Sequence, residues 1–459
     1  MRPTIPRRFS GPFPVLRPRL AALLLAALLL ASGCAPRVSP PGTVIADLRD
    51  MPQDAAAYID PLTATRPLLP AAVQRELADD YRQRFFSPWR RTVPAHGPQE
   101  VFKLLDGFDP ARYHGENRLP LTDGFAREMR GLADPDSFPN TMRPAISVAN
   151  SDLRVLPTVR PLFYNFDLAG EGFPFDYNQN SAVWAQTPLL VLHTSADGAW
   201  ALVETSTAAG WMPTRDLALV DAGFMDAFNT VHLAALTADR VPVVDCYGQF
   251  RFMGRVGMVL PMTGREAGTL DVLIAARDAS GRALLLTAGL GEDVAAPWPL
   301  APTPASFARL ANEMLGQPYG WGGLYRNRDC SALVMDLFAP LGIWQPRNSG
   351  AQARHWGLAP LGDLDREARL RVIAAEARPW LTLFWRPGHI ALYIGQWQGR
   401  PAVLHAAWGV RTRVGKAEGR HILGATVITS LEPGQDLPEL ERPGGVLLLQ
   451  LGGMAQVAR

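Results

Sequence analysis

The period of the hydrophobic pattern changes several times along the chain. Residues 20–30 form an unbroken apolar run of eleven, preceded by Arg2, Arg7, Arg8, Arg17 and Arg19. A bilayer span takes about twenty apolar residues, so the run predicts the core of an export signal rather than a transmembrane helix. Apolar positions then recur at helical spacing over residues 71–86, and 98–105 predict a second short helix. From Asp152 the pattern shifts to short strands at 153–156, 189–192, 201–204 and 210–213, with Ala196-Asp197-Gly198 as a turn, which predicts a small barrel. A second such stretch covers 255–260, 269–276 and 283–287, with Ser280-Gly281 as a hairpin turn. Pro297, Pro299, Pro302 and Pro304 mark a linker, and Thr303 before Pro304 starts a helix with Phe307, Leu310, Ala311 and Met314 on one face. The expected division is a signal segment at 1–33, a tether and helical domain at 34–150, barrels at 151–220 and 221–300, and an α+β domain at 301–459.

A chain of 459 residues is too long for one core, and typical domain sizes give about three or four modules. With 47% hydrophobic and 19% charged residues and 12 tryptophans, it has the composition of a folded protein. Removing the five arginines of residues 1–33 from 45 basic side chains leaves 40 against 43 acidic ones, a net charge near −3. No positive surplus remains to favour nucleic acid, and that partner class is discarded.

Ala31-Ser32-Gly33-Cys34 resembles the lipobox of bacterial lipoproteins, in which the cysteine is lipidated and becomes the mature N-terminus. Cys34 is thus the candidate anchor. Val38-Ser39-Pro40-Pro41-Gly42 would tether the folded part to a membrane facing the periplasm, and Ala35, in place of an acidic sorting residue, points to the outer membrane. Cys246 and Cys330 remain, in a compartment that permits a disulfide. Cys246, in Val244-Asp245-Cys246-Tyr247, is expected to be a small buried hydrophobe.

Asp329-Cys330-Ser331 opens an apolar helical stretch stopped by Pro340, which places Cys330 at a helix N-terminus. There the dipole, with a neighbouring histidinium, can lower the thiol pKa well below neutral, and the Cys330 amide can serve as an oxyanion donor. A buried structural cysteine is the competing reading. Downstream, residues 389–394 alternate as a strand and 401–407 return as another. A hairpin centred on Trp397 would set His405 directly opposite His389, with Cβ atoms about 5 Å apart. His405 would then orient His389 as a base without a carboxylate. Zinc is the rival use of His355, His389, His405 and Cys330, but no CxxC, HxxxH or HExxH spacing is present. Neither metal nor other cofactor is required.

Three motifs, Tyr319-Gly320-Trp321-Gly322-Gly323, Asp329-Cys330-Ser331 and Gly388-His389, resemble the signature of the NlpC/P60 family of papain-like cell-wall peptidases, over residues 303–430. The resemblance implies a papain-like α+β catalytic domain with Cys330 as nucleophile and His389 as base. The preceding barrels look like bacterial SH3-like domains, Gly210-Trp211-Met212-Pro213 resembling their closing strand. Helical region and barrels together look like a subgroup that cleaves between γ-D-glutamate and a diamino acid. By that likeness Tyr319, Asp329, Ser331 and Ser349, the last in Pro346-Arg347-Asn348-Ser349, would hold substrate. A bare Asp329 carboxylate opposes ionisation of the thiol unless it meets a substrate ammonium; helix capping also explains the residue, and the resemblance favours the ligand role. Tyr177 is a candidate contact from the first barrel, because an aromatic hydroxyl can close a small polar pocket; a barrel-surface tyrosine is the alternative.

The resulting expectation is a monomeric, exported, lipid-anchored hydrolase of peptidoglycan stem peptides that prefers a free N-terminal L-alanine on a released muropeptide. Two alternatives stand beside it: a wall-binding lipoprotein with an inactive peptidase fold, and a papain-like hydrolase of another acyl substrate.

Overall fold

The computed structural model describes residues 42–458. Cys34 and the export segment lie outside the described residues.

The helix at 71–86 forms as Ala71–Phe85, but 98–105 breaks into Pro98–Val101 and Lys103–Asp106. A further helix, Asp123–Ala133, starts where the Thr122 hydroxyl accepts from the Phe125 amide at 3.3 Å. These helices are not a separate body. Phe102, Phe125 and Met129 pack with Leu202 and Trp211 of the first barrel, while Met51, Ala55 and Leu69 are buried in the core of the C-terminal unit.

The first barrel is a seven-stranded antiparallel sheet that includes Arg143–Ser147, a strand lying within the region expected to be helical. This strand pairs with both Pro188–Thr194 and Leu217–Leu219, and Pro144 near its start obscures the strand pattern. The second β unit has its own core, including Leu236, Phe252, Leu260 and Ile274. Its outermost strand, Ala295–Trp298, occupies part of the predicted linker: an edge strand tolerates Pro297, which has no amide to donate. Cys246 is exposed, not buried, because it sits on the turn where the Asp245 carboxylate accepts from the Tyr247 and Gln249 amides. Both Cys246 and Cys330 are free thiols.

The C-terminal unit is a six-stranded antiparallel sheet in the order Leu358–Pro360, Gly453–Gln456, Thr382–Arg386, His389–Trp397, Arg400–Val414, Ala417–Ser430. Helices Pro304–Met314 and Cys330–Phe338 pack on it through Phe307, Leu310, Leu333, Leu337 and Phe338 against Ile390, Leu392 and Leu404. Each of these fully buried side chains stabilises the unit by about 1.5–3 kcal/mol. The Thr303 hydroxyl caps the first of the two helices on the Ser306 amide at 3.1 Å.

One buried arginine fastens the units together. Arg328, 1% exposed, donates to Asp336 on the Cys330 helix at 2.7 Å and to Asp239 of the second β unit at 2.6 and 3.0 Å. Trp184 of the first barrel donates to the same Asp336 at 3.1 Å. Gly257, at φ +101°, lies so close that a Cβ there would stand 2.6 Å from the Asp336 carboxylate.

Candidate active site

Cys330 is the first residue of its helix, and the Asp329 carboxylate caps that helix on the Ala332 amide at 2.8 Å. Asp329 is no bare charge. Arg347 grips both its oxygens, at 3.1 and 2.7 Å, while the Ser331 hydroxyl and the Gly322 amide donate at 3.1 Å each. Arg347 also donates to Ser331 at 2.9 Å and to Ser181 of the first barrel at 2.8 Å. Burial alone would push Asp329 up, but Arg347 and these bonds hold it below the ordinary carboxylate range.

The loop at 319–323 brings the first barrel to this cluster. Gly322 and Gly323 have φ of +60° and +89°, and a Cβ on either would lie about 2.5 Å from Gln179 or Ala182 of the barrel strand Gln179–Val183. Only glycine permits that approach. Gln179 seals it by donating to the Gly322 carbonyl at 3.1 Å.

The histidines stand on the two strands that pack against the Cys330 helix. Their register differs from the expected one: the hairpin turns at Gln398-Gly399, both with positive φ, and a bulge lies between Tyr393 and Gly395. Leu392 therefore pairs with Leu404, which sets His405 diagonal to His389 instead of opposite. Diagonal neighbours lie about 7–8 Å apart, within reach of two imidazoles, and His389 Nε2 meets His405 Nδ1 at 2.9 Å.

A residue the sequence reading missed determines where the protons sit. The Thr429 hydroxyl donates to the Ser430 carbonyl at 2.8 Å and lies 3.0 Å from His405 Nε2. With its own proton on that carbonyl it accepts from His405 Nε2–H, and in this tautomer His405 Nδ1 accepts from His389 Nε2–H. His389 Nδ1 is then bare and able to take a proton.

The thiol does not have the expected low pKa. At 7% exposure, burial first and the Asp329 carboxylate second push Cys330 up to about 12, although the Ile390 and Ser331 amides donate to its sulfur. Burial, His405 and Arg386 hold His389 well below 6.5; burial and Arg386 lower His405 to about 4. The resting pair is a neutral thiol and a neutral imidazole. The dipole of a nine-residue helix does not outweigh desolvation here.

A cleft of about 460 Å³ opens on His389 and His405, lined by Tyr319, Trp321, Trp408 and, from the first barrel, Phe175. Phe175 stands edge-on to Trp321 at 5.1 Å. Tyr177 is tilted against Trp321 at 6.0 Å and against Tyr164 at 4.2 Å, and it is not among the residues lining the cleft. Ser349 is half-buried at the start of helix Ser349–His355, beyond Arg347.

A buried cysteine at the start of a helix, packed on the two antiparallel strands that carry a hydrogen-bonded histidine pair, is the arrangement of a papain-like cysteine hydrolase. Residues 316–422 match the NlpC/P60 family, 22–138 its N-terminal stabilising domain, and 161–213 an SH3 domain of the SH3b1 type. Two SH3-like barrels were expected; the match covers the first alone. The fold resembles that of an NlpC/P60 endopeptidase from Photobacterium damselae subsp. piscicida, with 27% identity over 86% of this chain and 93% of that one, at a TM-score of 0.77. An NlpC/P60 family protein from Bacillus cereus aligns at 16% identity over 69% of this chain and 100% of that one, with a TM-score of 0.47. No curated protein matches the sequence. Residues 316–422 thus form a domain of the NlpC/P60 type, a family of cysteine peptidases that hydrolyse peptidoglycan.

Proposed function

We propose that the protein cleaves the γ-D-glutamyl-diaminopimelate bond of released stem peptides carrying a free N-terminal L-alanine. Cys330 Sγ attacks the glutamyl carbonyl as His389 Nδ1 takes the thiol proton; the amide C–N bond breaks, and His389 returns the proton to the leaving amine. Water, deprotonated by the same histidine, then hydrolyses the thioester. The Cys330 amide, an orphan donor at the helix start, supports the oxyanion. Tyr319, Ser331 and Ser349 are assigned to substrate.

The observation that carries the substrate preference is the wall that the first barrel adds to the cleft through Phe175, beside Trp321. Such a wall leaves little room for glycan on the alanine. The preference rests on this wall more than on Asp329, whose charge Arg347 already matches. We expect kcat/KM for L-Ala-γ-D-Glu-diaminopimelate to exceed that for the same peptide bearing N-acetylmuramic acid on its alanine by about a hundredfold or more. Equal values would move the enzyme to intact wall.

Export and anchoring through Cys34 belong to the same proposal. Among the described residues no helix is long and apolar enough to cross a membrane. Cys34→Ser should move the protein from the membrane fraction to the soluble periplasmic one; tight membrane retention of that variant would refute the anchor.

A further inference from the structure

Strands Thr382–Arg386 and His389–Trp397 are joined by Pro387 and Gly388, the latter at φ +77°, the Pro-then-Gly order of a type II turn. Across this turn Arg386 pairs with His389, so any group that Arg386 holds lies within a residue's reach of the reacting bond.

Arg386, Arg411 and Arg420 all line the cleft, and among the described residues no aspartate or glutamate does. Two of the three are already matched from outside it: Arg411 by Glu418 at 2.6 Å and Glu441 at 2.9 Å, Arg420 by Glu418 at 2.8 Å. The Arg386 guanidinium has no carboxylate or hydrogen-bond partner among the described residues, although it is half-buried. Every other buried arginine around the thiol is satisfied: Arg328 by two aspartates, Arg347 by Asp329.

A half-buried guanidinium with no ionic partner is short of its full hydration, and an entering carboxylate can complete its bonds as a bidentate pair. We propose that Arg386 is a specificity-determining residue that binds a free carboxylate of the substrate beside the scissile bond. This rests on the assignment of a stem peptide as substrate. That peptide offers two sources, the α-carboxylate of D-glutamate on the acyl side and the distal carboxylate of diaminopimelate on the amine side. Burial, with Arg420 and Arg411 nearby, lowers the proton affinity of Arg386, yet an arginine remains charged at any working pH.

The test compares three peptides: L-Ala-γ-D-Glu-diaminopimelate, its glutamyl α-amide and its distal diaminopimelyl amide. With wild type, one of the two amides should lose about 10- to 100-fold in kcat/KM, and which one identifies the source. Arg386→Gln should lose a similar factor on the acid and no longer distinguish acid from amide, while Arg386→Lys retains part of the discrimination. Undiminished discrimination by Arg386→Gln, or equal wild-type rates on all three peptides, overturns the proposal. Should wild type leave the parent peptide uncut, the bond assignment falls by itself. The carboxylate site is then judged by calorimetric Kd of acid and amides with Cys330→Ala protein, where equal affinities overturn it.

Discussion

Cys330 is held between two buried clusters built on opposite electrostatic terms. On one side Asp329, Arg347, Ser331 and Ser181 form an ion pair with every carboxylate oxygen bonded. On the other, His389, His405 and Thr429 form a chain of neutral groups, in which burial has lowered the pKa of both imidazoles. A charged pair taken out of water must be fully satisfied or it destabilises the fold. A neutral imidazole chain has no such constraint and stays free to accept a proton. The first cluster therefore supports the architecture, joining barrel to helix, and the second supports the chemistry.

The largest effects should separate the two sides. Cys330→Ala and His389→Ala should each lower kcat by about 10⁴-fold or more, with melting temperatures near wild type. A Cys330→Ala protein that still hydrolyses a diaminopimelate stem peptide at a wild-type rate would end its assignment as nucleophile. Arg347→Met should do the reverse and unfold first. It leaves Asp329 charged, buried and unpaired, at a cost of about 3–5 kcal/mol in urea unfolding. Asp329→Asn combined with Arg347→Met should regain part of that loss, because no uncompensated charge remains.

How much of this could be read beforehand depended on the distance over which each signal acts. The helix start at Cys330 and the capping role of Asp329 are local, and the sequence shows both. Arg347 follows Asp329 by 18 positions with no periodicity linking them, so its grip on the carboxylate was invisible, and the reading of Asp329 stayed open between a helix cap and a partner for a substrate ammonium. The pairing of His389 with His405 was legible from strand alternation. Its register was not, because one bulge near Gly395 and a turn centred between Gln398 and Gly399 rather than on Trp397 shifted the ladder. Pro144 and Pro297 misled in the same way: proline argues against a strand on average, and only the finished sheet shows which positions can spare an amide. Thr429, Arg386 and Phe175 had no motif to mark them.

The state of the thiol distinguishes two modes of activation. A preformed thiolate–imidazolium pair would be alkylated by iodoacetamide at a rate that levels off near neutral pH. With the Cys330 thiol raised to about 12, the rate should instead keep climbing, roughly tenfold per pH unit, from pH 7 to beyond 9. Turnover should show the complementary limb. His389 acts as a base only when neutral, and its pKa is lowered, so kcat/KM should hold at pH 6.5 and fall only on acidification well below it. An alkylation plateau at pH 7 would mean that the ion pair exists before substrate arrives.

The smallest effect probes the far end of the histidine chain. Thr429 is fully buried, and its hydroxyl oxygen accepts the His405 Nε2–H hydrogen bond that fixes this tautomer. Thr429→Val keeps the shape and suits a strand, but leaves His405 Nε2–H without an acceptor. His405 then gains by moving its proton to Nδ1, where it faces His389 Nε2 and drives the His389 proton onto Nδ1, the atom that must be bare. We expect kcat to fall about 10- to 100-fold with KM unchanged, since no substrate contact is lost. Thr429→Ser, which restores the hydroxyl, should recover most of the rate. A structural role alone predicts otherwise: Thr429→Val would lower the melting temperature and leave kcat of the folded protein intact. Were that pair of results obtained, the proton order along Thr429, His405 and His389 would not matter to turnover.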